Sequence, residues 1–259
     1  MQTVLFDKTI FGPIHSRRLG TSLGVNLSPN DGKVCSFDCL YCEAGFNAQG
    51  VGTTGLPTRE KVKNDLSKKL AQMKENGENL DVITFSGNGE PTLHPDFGGI
   101  IDDTIRLRDK FYPSVKISVL TNSTQLHRPG VVLALERVDN NILKLDSAIE
   151  QTMRKLDRPN NTGFTVEKAI EGIARFGSNA IIQTMFTYGS YDGENFDNTT
   201  QEEVDALIEA YKRIRPGKIM IYSIDRKTPA RDMHKIPPFK LDEIAEKIEK
   251  STGISVSVA

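Results

Sequence analysis

The sequence predicts an α/β fold, a partial (β/α)6 barrel with a parallel sheet and helices outside. Three observations predict it. Short β-branched runs alternate with amphipathic stretches about six times along the 259 residues, an order that favours parallel strands joined by crossover helices. Six units are too few for the usual eight-fold closed barrel, and an open sheet accommodates the same order. The glycine-rich, cysteine-rich and short polar segments follow the ends of the runs, where ligands collect in such folds.

The elements follow in order. The first twenty residues read as extended or irregular. LGVNLS (23–28) is a β-type run closed by Pro29-Asn30-Asp31-Gly32, strong turn chemistry. The cysteine segment comes next, and residues 43–57, rich in Gly, Asn and Thr, read as a loop. Thr58 caps a helix predicted over 59–76, with Gly77 near its end. DVITFSG (81–87) is a buried strand running into glycines, 96–111 a helix and VKISVLTN (115–122) a strand. Pro129 to Arg137 is a short helix, and NNILKLDSA (140–148) a strand with an acidic end. A helix at about 165–176 precedes NAIIQTMFTYG (179–189). QEEVDALIEAYKRI (201–214) is an amphipathic helix capped by Thr200. GKIMIYSID (217–225) is the last full strand. A closing helix (241–250) leads to a short tail, ISVSV (254–258). The chain reads as one domain over 1–259, with an N-terminal extension (1–22), a barrel core (23–225) and a C-terminal segment (226–259).

Lys plus Arg total 33 and Asp plus Glu 34, a net charge of -1 that gives no electrostatic footprint for non-specific nucleic-acid binding. No apolar run is long enough to span a membrane. The N-terminal stretch lacks the charged-then-apolar order of a secretory signal, so a cytoplasmic location is expected.

The three cysteines of the chain, Cys35, Cys39 and Cys42, fall within the eight residues CSFDCLYC. An odd number so closely spaced makes a poor disulfide framework. Thiolates in a reducing compartment suit zinc or an iron–sulfur cluster. Three ligands on one loop leave one iron of a cluster open to another molecule. Other readings compete: cysteines on one helical face packed in a core, a redox pair, or a zinc site needing a fourth ligand from His15, His94, His127 or His234.

These residues resemble the radical SAM superfamily, whose hallmark C-x3-C-x-(aromatic)-C follows the first barrel strand. Cys35, Cys39, Tyr41 and Cys42 stand in that arrangement. SGNGEPTLHP (86–95) occupies the place of the family's Gly-Gly-Glu motif, with Asn88 in place of one glycine. Together with FGPIHSRRLGTSLGVNLSP (11–29), these segments are similar to small iron–sulfur oxidoreductases related to wybutosine-synthesis enzymes. Wybutosine synthases use a second cluster, for which this chain has no further cysteines, so a direct wybutosine role is not expected.

The resemblance implies a radical enzyme with two cofactors, a [4Fe–4S] cluster held by Cys35, Cys39 and Cys42 and S-adenosylmethionine chelated to the open iron. Reductive cleavage gives a 5′-deoxyadenosyl radical that takes hydrogen from a substrate. Gly87, Asn88 and Gly89 would let backbone approach the methionine moiety, and Glu90 would accept from its ammonium group; a tight turn is the plainer reading. Tyr41 would face adenine or pack in the core. Asn122, Ser123, Asp146 and Ser147 end strands, where they would bind ribose or carboxylate or else cap helices. Gln183 and Thr184 interrupt an apolar strand and need polar partners. His15, Arg17 and Arg18 are candidate substrate contacts, as a proton relay and as carboxylate or phosphate ligands; the arginines would otherwise be solvated. Residues 45–55 form a lid or simply a loop. A flavodoxin or ferredoxin is the expected electron donor, and the substrate is a small molecule, RNA or protein. Two alternatives stand: an activase that makes a glycyl radical on a partner protein, and a zinc-stabilised binding module without catalysis.

Overall fold

Seven strands run parallel in one sheet, and the loops leaving their carboxyl ends converge on the cysteine segment. The computed structural model describes residues 4–16 and 19–259. In chain order the elements are β1 (Ile10–Ser16), β2 (Gly20–Val25), α1 (Arg59–Glu75), β3 (Val82–Phe85), α2 (Phe97–Phe111), β4 (Lys116–Thr121), α3 (Pro129–Leu135), β5 (Asn140–Lys144), α4 (Glu150–Leu156), α5 (Val166–Ala174), β6 (Ala180–Tyr191), β7 (Glu194–Asp197), α6 (Gln201–Ile214), β8 (Lys218–Ser223), β9 (Asp232–Lys235), α7 (Pro238–Thr252) and β10 (Val256–Val258). The sheet order is β1-β2-β3-β4-β5-β6-β8-β10. β2 to β10 along this path are parallel, and β1 pairs antiparallel with β2. The sheet ends at β1 and β10 and does not close, as expected of a partial barrel.

The helices form where the sequence places them because their caps and apolar stripes agree. Thr58 accepts from Lys61 N to open α1, and Thr200 accepts from Glu203 N to open α6. Val62, Leu66, Leu70 and Met73 recur at helical spacing on α1 and are buried. They meet Leu23, Ile83 and Ile117 from the sheet in one continuous core. Both faces of the central strands are covered, so the strands read as unbroken apolar runs.

Four features depart from the sequence reading. The extended N-terminal region contains β1, whose partners lie on a neighbouring strand. The tail at 254–258 contributes a seventh parallel strand, Val256 pairing with Ile219. Residues 150–156 form α4, too short for a periodic pattern to stand out. β6 runs past the sheet, and β7 and β9 flank its end antiparallel. This ribbon packs on Leu40 and Leu156 through Met185, Phe196 and Ala230, a second apolar cluster above the main core.

One polar tie links the end of β5, the middle of β6 and α6. Thr184 Oγ1 donates to Leu145 O at 2.7 Å and accepts from the buried Tyr211 hydroxyl of α6 at 2.6 Å. Burial holds the Tyr211 phenol well above its ordinary range. Tyr211→Phe is expected to cost about 1 kcal/mol, read as a lowered urea midpoint with an unchanged slope. An unchanged midpoint would show that the tie adds nothing.

Candidate functional site

The cysteine segment is clamped on both sides by backbone pairing. On one side Val34 N donates to Asn88 O at 3.2 Å and Glu90 N donates to Val34 O at 2.9 Å, a parallel bridge between Val34 and Gly89. On the other, Leu40 N donates to Leu156 O, Asp38 N to Asp157 O and Asn160 N to Ser36 O, with Phe37 bridged to Pro159. Asn160 Nδ2 also donates to Cys35 O at 3.0 Å. Cys42 N donates to Cys39 O and Gly45 N to Cys42 O, turning the chain tightly through the segment. The turn is local and no long helix forms, which removes the reading of cysteines packed along one helical face. The three thiols are free. They line a cavity of about 350 Å³ with Gly87, Gly89, Glu90, Tyr41, Asn122 and Gln183 among its other walls.

The glycines of GNGEP are required by approach. A Cβ on Gly89 would lie 1.9 Å from Val34 O. Gly87 has φ +142° and its added Cβ would meet Asn26 Oδ1 at 2.5 Å. Asn88 is fully buried and turned from the cavity. Its amide donates to Phe6 O and Pro29 O and accepts from Phe6 N, all within 2.9 Å. With Val4 N donating to Glu43 O at 2.9 Å, these bonds draw residues 4–6 across the cavity, where Val4 and Phe6 form part of its wall.

Glu90 is buried, and its oxygens accept from Thr92 N, Thr92 Oγ1, Thr121 Oγ1 and Asn122 N at 2.5–3.0 Å. Burial raises its carboxyl above the usual range in spite of these donors. It braces the end of β3 against the end of β4. Asn122 Nδ2 lies 3.6 Å from Cys35 Sγ and 3.0 Å from Ser36 Oγ. Burial, then the Glu90 charge, pushes the Cys35 thiol up to about 12, and burial drives Cys39 well up too. Metal binding at these sulfurs must therefore displace protons.

Two lysines of the site, one buried and one half-buried, escaped the sequence reading, because nothing local marks them. Lys33 has a side chain 1% exposed, donates to Gly45 O at 2.7 Å and lies 3.6 Å from Asp38 Oδ1. Burial alone favours the neutral amine; the sulfurs of Cys42, Cys35 and Cys39, once ionised, and the Asp38 carboxylate outweigh it and raise the Lys33 pKa. Lys144 ends β5, lines the cavity, and is paired with Asp146 and with Asp157 Oδ1 at 2.8 Å. Its ammonium meets the Tyr41 hydroxyl and lies 4.6 Å from the ring centroid, and that hydroxyl donates to Asp146.

The remaining predicted residues divide. Asp146 is buried beneath the cavity wall, its Oδ1 accepting from Met185 N at 3.0 Å. Ser147 bonds Glu203 Oε2 at 2.6 Å and Ile149 N at 2.9 Å, at the start of α4. Ser123, at φ +67°, lines a second cavity of about 420 Å³ with Ser36 and His127. Thr184 finds its partners in backbone and Tyr211, whereas the Gln183 side chain faces the main cavity. His15 is exposed on β1, the sheet edge. Arg17 and Arg18 lie outside the described residues.

The donor set suits a cluster better than a single ion. Among the described residues no group of three or more His, Cys, Asp or Glu converges to hold one metal ion. His94, buried, is engaged at both ring nitrogens by Pro57 O and Asp96 N, and His127 and His234 are exposed. Three soft thiolates lining one cavity can grip separate corners of a cube.

The sequence pattern of the Radical SAM superfamily matches residues 30–202. The chain is 28% identical over 258 residues to a protein named GTPase Obg from Brachyspira hyodysenteriae, covering 98% of this chain and 35% of that protein. It is 30% identical over 253 residues to a UPF0026 protein of Methanocaldococcus jannaschii, covering 94% and 69%. In fold it is similar to Streptococcus suis SuiB bound to S-adenosylmethionine, with TM-score 0.63 and 15% identity over 91% of this chain and 50% of that one. It is likewise similar to TYW1 with a lysine-pyruvate adduct bound, with TM-score 0.59 and 14% identity over 90% and 75%.

Two outcomes are expected. Gly89→Ala forces the Val34 bridge apart and should lower stability by roughly 2 kcal/mol or more and abolish iron uptake; iron bound at wild-type stoichiometry would contradict the clamp. Burial lifts the Asp157 carboxyl to about 7 against the pull of Lys144, whereas its unperturbed value is 3.8. The folded chain then holds a proton that the unfolded chain has lost between about pH 4 and pH 7. The stability from this group is complete below that window and is lost as pH rises through it. Asp157→Asn should flatten that decline in apo-protein urea midpoints; an unaltered slope would assign the decline elsewhere.

Proposed function

The chain belongs to the radical SAM superfamily, and we propose that it holds a [4Fe–4S] cluster on Cys35, Cys39 and Cys42 and cleaves S-adenosylmethionine. The observation that carries this reading is the one cavity lined both by three free thiols and by Gly87 and Gly89 of GNGEP. A cluster held by Cys35, Cys39 and Cys42 would supply the electron for reductive cleavage of S-adenosylmethionine and so the radical chemistry of the family.

The chain's own residues bind, orient and exclude water. Gly87 and Gly89 present backbone to the methionine moiety with no side chain in the way. Asn122 offers its amide to Cys35 Sγ and so orients that ligand. The Tyr41 ring, fixed by Lys144 and Asp146, offers a flat apolar face for adenine. The Gln183 side chain supplies a polar group to the same cavity. Val4 and Phe6 close one side and shield the site from solvent. A flavodoxin or ferredoxin is the expected electron donor, and the substrate is a small molecule, a nucleoside in RNA or a protein. Among the described residues no helix is long and apolar enough to cross a membrane, and thiolate ligands favour a reducing compartment, in keeping with a cytoplasmic enzyme.

The test is anaerobic reconstitution followed by dithionite and S-adenosylmethionine, with 5′-deoxyadenosine as the readout. The native chain should form it, and Cys39→Ala should lose essentially all of it. Equal product from both, or none from a native chain loaded with iron, would overturn the reading.

A further inference from the structure

The cysteine loop encloses a cation. Lys33 lies two residues before Cys35, and its side chain turns inward and ends at Gly45 O, three residues after Cys42. The ammonium thus lies within the loop that carries all three cysteines, anchored to the backbone just beyond the last of them. Among the described residues its carboxylate neighbour is Asp38, with Oδ1 3.6 Å away. That carboxylate is shared: Oδ1 also accepts from Asn47 N at 2.6 Å, and Oδ2 lies 3.5 Å from Arg158. Lys33, Asp38 and Arg158 together therefore carry a net positive charge against the sulfurs. The second lysine of the site is balanced differently, since Lys144 faces two carboxylates, Asp146 and Asp157.

A lysine with a side chain 1% exposed has surrendered most of its hydration, which is unfavourable before any pairing. A surface salt bridge would have met Asp38 without that cost. What burial adds is a fixed positive charge in a poorly screened setting, where Coulomb interactions are several times stronger than in water. Three thiolates make a cluster electron-rich, and each added electron raises the repulsion. The net charge close to a cluster is one of the levers that set its reduction potential.

We propose that Lys33 is a built-in counter-charge that makes the cluster easier to reduce, with Asp38 as its moderating partner. The inference rests on the proposed cluster at Cys35, Cys39 and Cys42. Its step is a single-electron reduction of the oxidised cluster, the electron coming from an external low-potential donor such as dithionite. Lys33 forms no bond in the step; it is a positioning residue acting through charge.

The experiment is an anaerobic redox titration of the reconstituted full chain, following the electron paramagnetic resonance signal of the reduced cluster. Lys33→Met keeps the length and removes the charge. It should make reduction at least about tenfold less favourable, ~59 mV for one electron. Asp38→Asn keeps the shape and the acceptor for Asn47 N while removing the negative charge. It should move the midpoint the other way by several-fold or more. Lys212→Met, on the outer face of α6, serves as a remote control and should leave the midpoint where it is. A purely structural role for Lys33 would not produce opposite signs in the two variants. Shifts of the same sign, or no shift in either, overturn the proposal while leaving the cluster intact. If Lys33→Met takes up no cluster, the direction of the Asp38→Asn shift decides alone. A wild-type chain that assembles no cluster would instead remove the proposed function, and this inference with it.

Discussion

The bridge between Val34 and Gly89 is the constraint on which the site depends. Two backbone hydrogen bonds join the residue before Cys35 to the loop after β3, and they form only because Gly89 has no Cβ. The contact fixes where the cysteine loop starts. It also sets the glycine backbone beside the sulfurs, and brings Glu90 to the end of β4. Glu90 then collects four donors and orders Asn122, whose amide reaches back to Cys35. The ends of β3 and β4 and the cysteine loop are thus one hydrogen-bonded unit. A unit in which every buried polar group has a partner is rigid, and rigidity is what a cluster site needs from its ligands.

The second side of the clamp comes from a different physical source. Residues 156–160 pair with the cysteine segment through backbone, and α4 and the β6–β7–β9 ribbon press on it through Leu40, Leu156, Met185 and Phe196. Apolar burial supplies the force here, roughly 25 cal/mol per Å² of surface removed from water. The polar side gives direction and the apolar side gives pressure. Arg158 shows both: it holds φ +50°, reaches toward Asp38, and lies 5.2 and 5.0 Å from the Phe46 and Tyr191 ring centroids.

Charge is distributed unevenly around the cavity. Near neutrality over the whole chain conceals a buried cation at Lys33, a half-buried one at Lys144, and buried carboxyls at Glu90, Asp146 and Asp157. Replacing such groups by apolar ones often stabilises a protein. Their gathering around the cysteine loop marks a place where stability yields to chemistry.

By itself the sequence determined the alternation of strands and helices, the caps at Thr58 and Thr200, and the thiol triad beside a glycine-rich turn. These are local signals: period, capping chemistry and spacing are written in neighbouring residues. Tertiary structure alone decided the rest. Asn88 reads as a cofactor contact in the chain, yet it is spent on Phe6, 82 residues away. Ser147 and Ser123 end strands as expected, but the first is turned toward Glu203 and the second toward another cavity. Nothing in the neighbouring residues marks Lys33 or Lys144, and their loss of solvent is decided by the folded loop around the first and the strand ends around the second. The pairing of β1 with β2, and of β7 and β9 with β6, likewise depends on partners that a short strand's own residues do not specify. Local physics settles what each segment is; which side chains are deprived of water is settled by what packs against them.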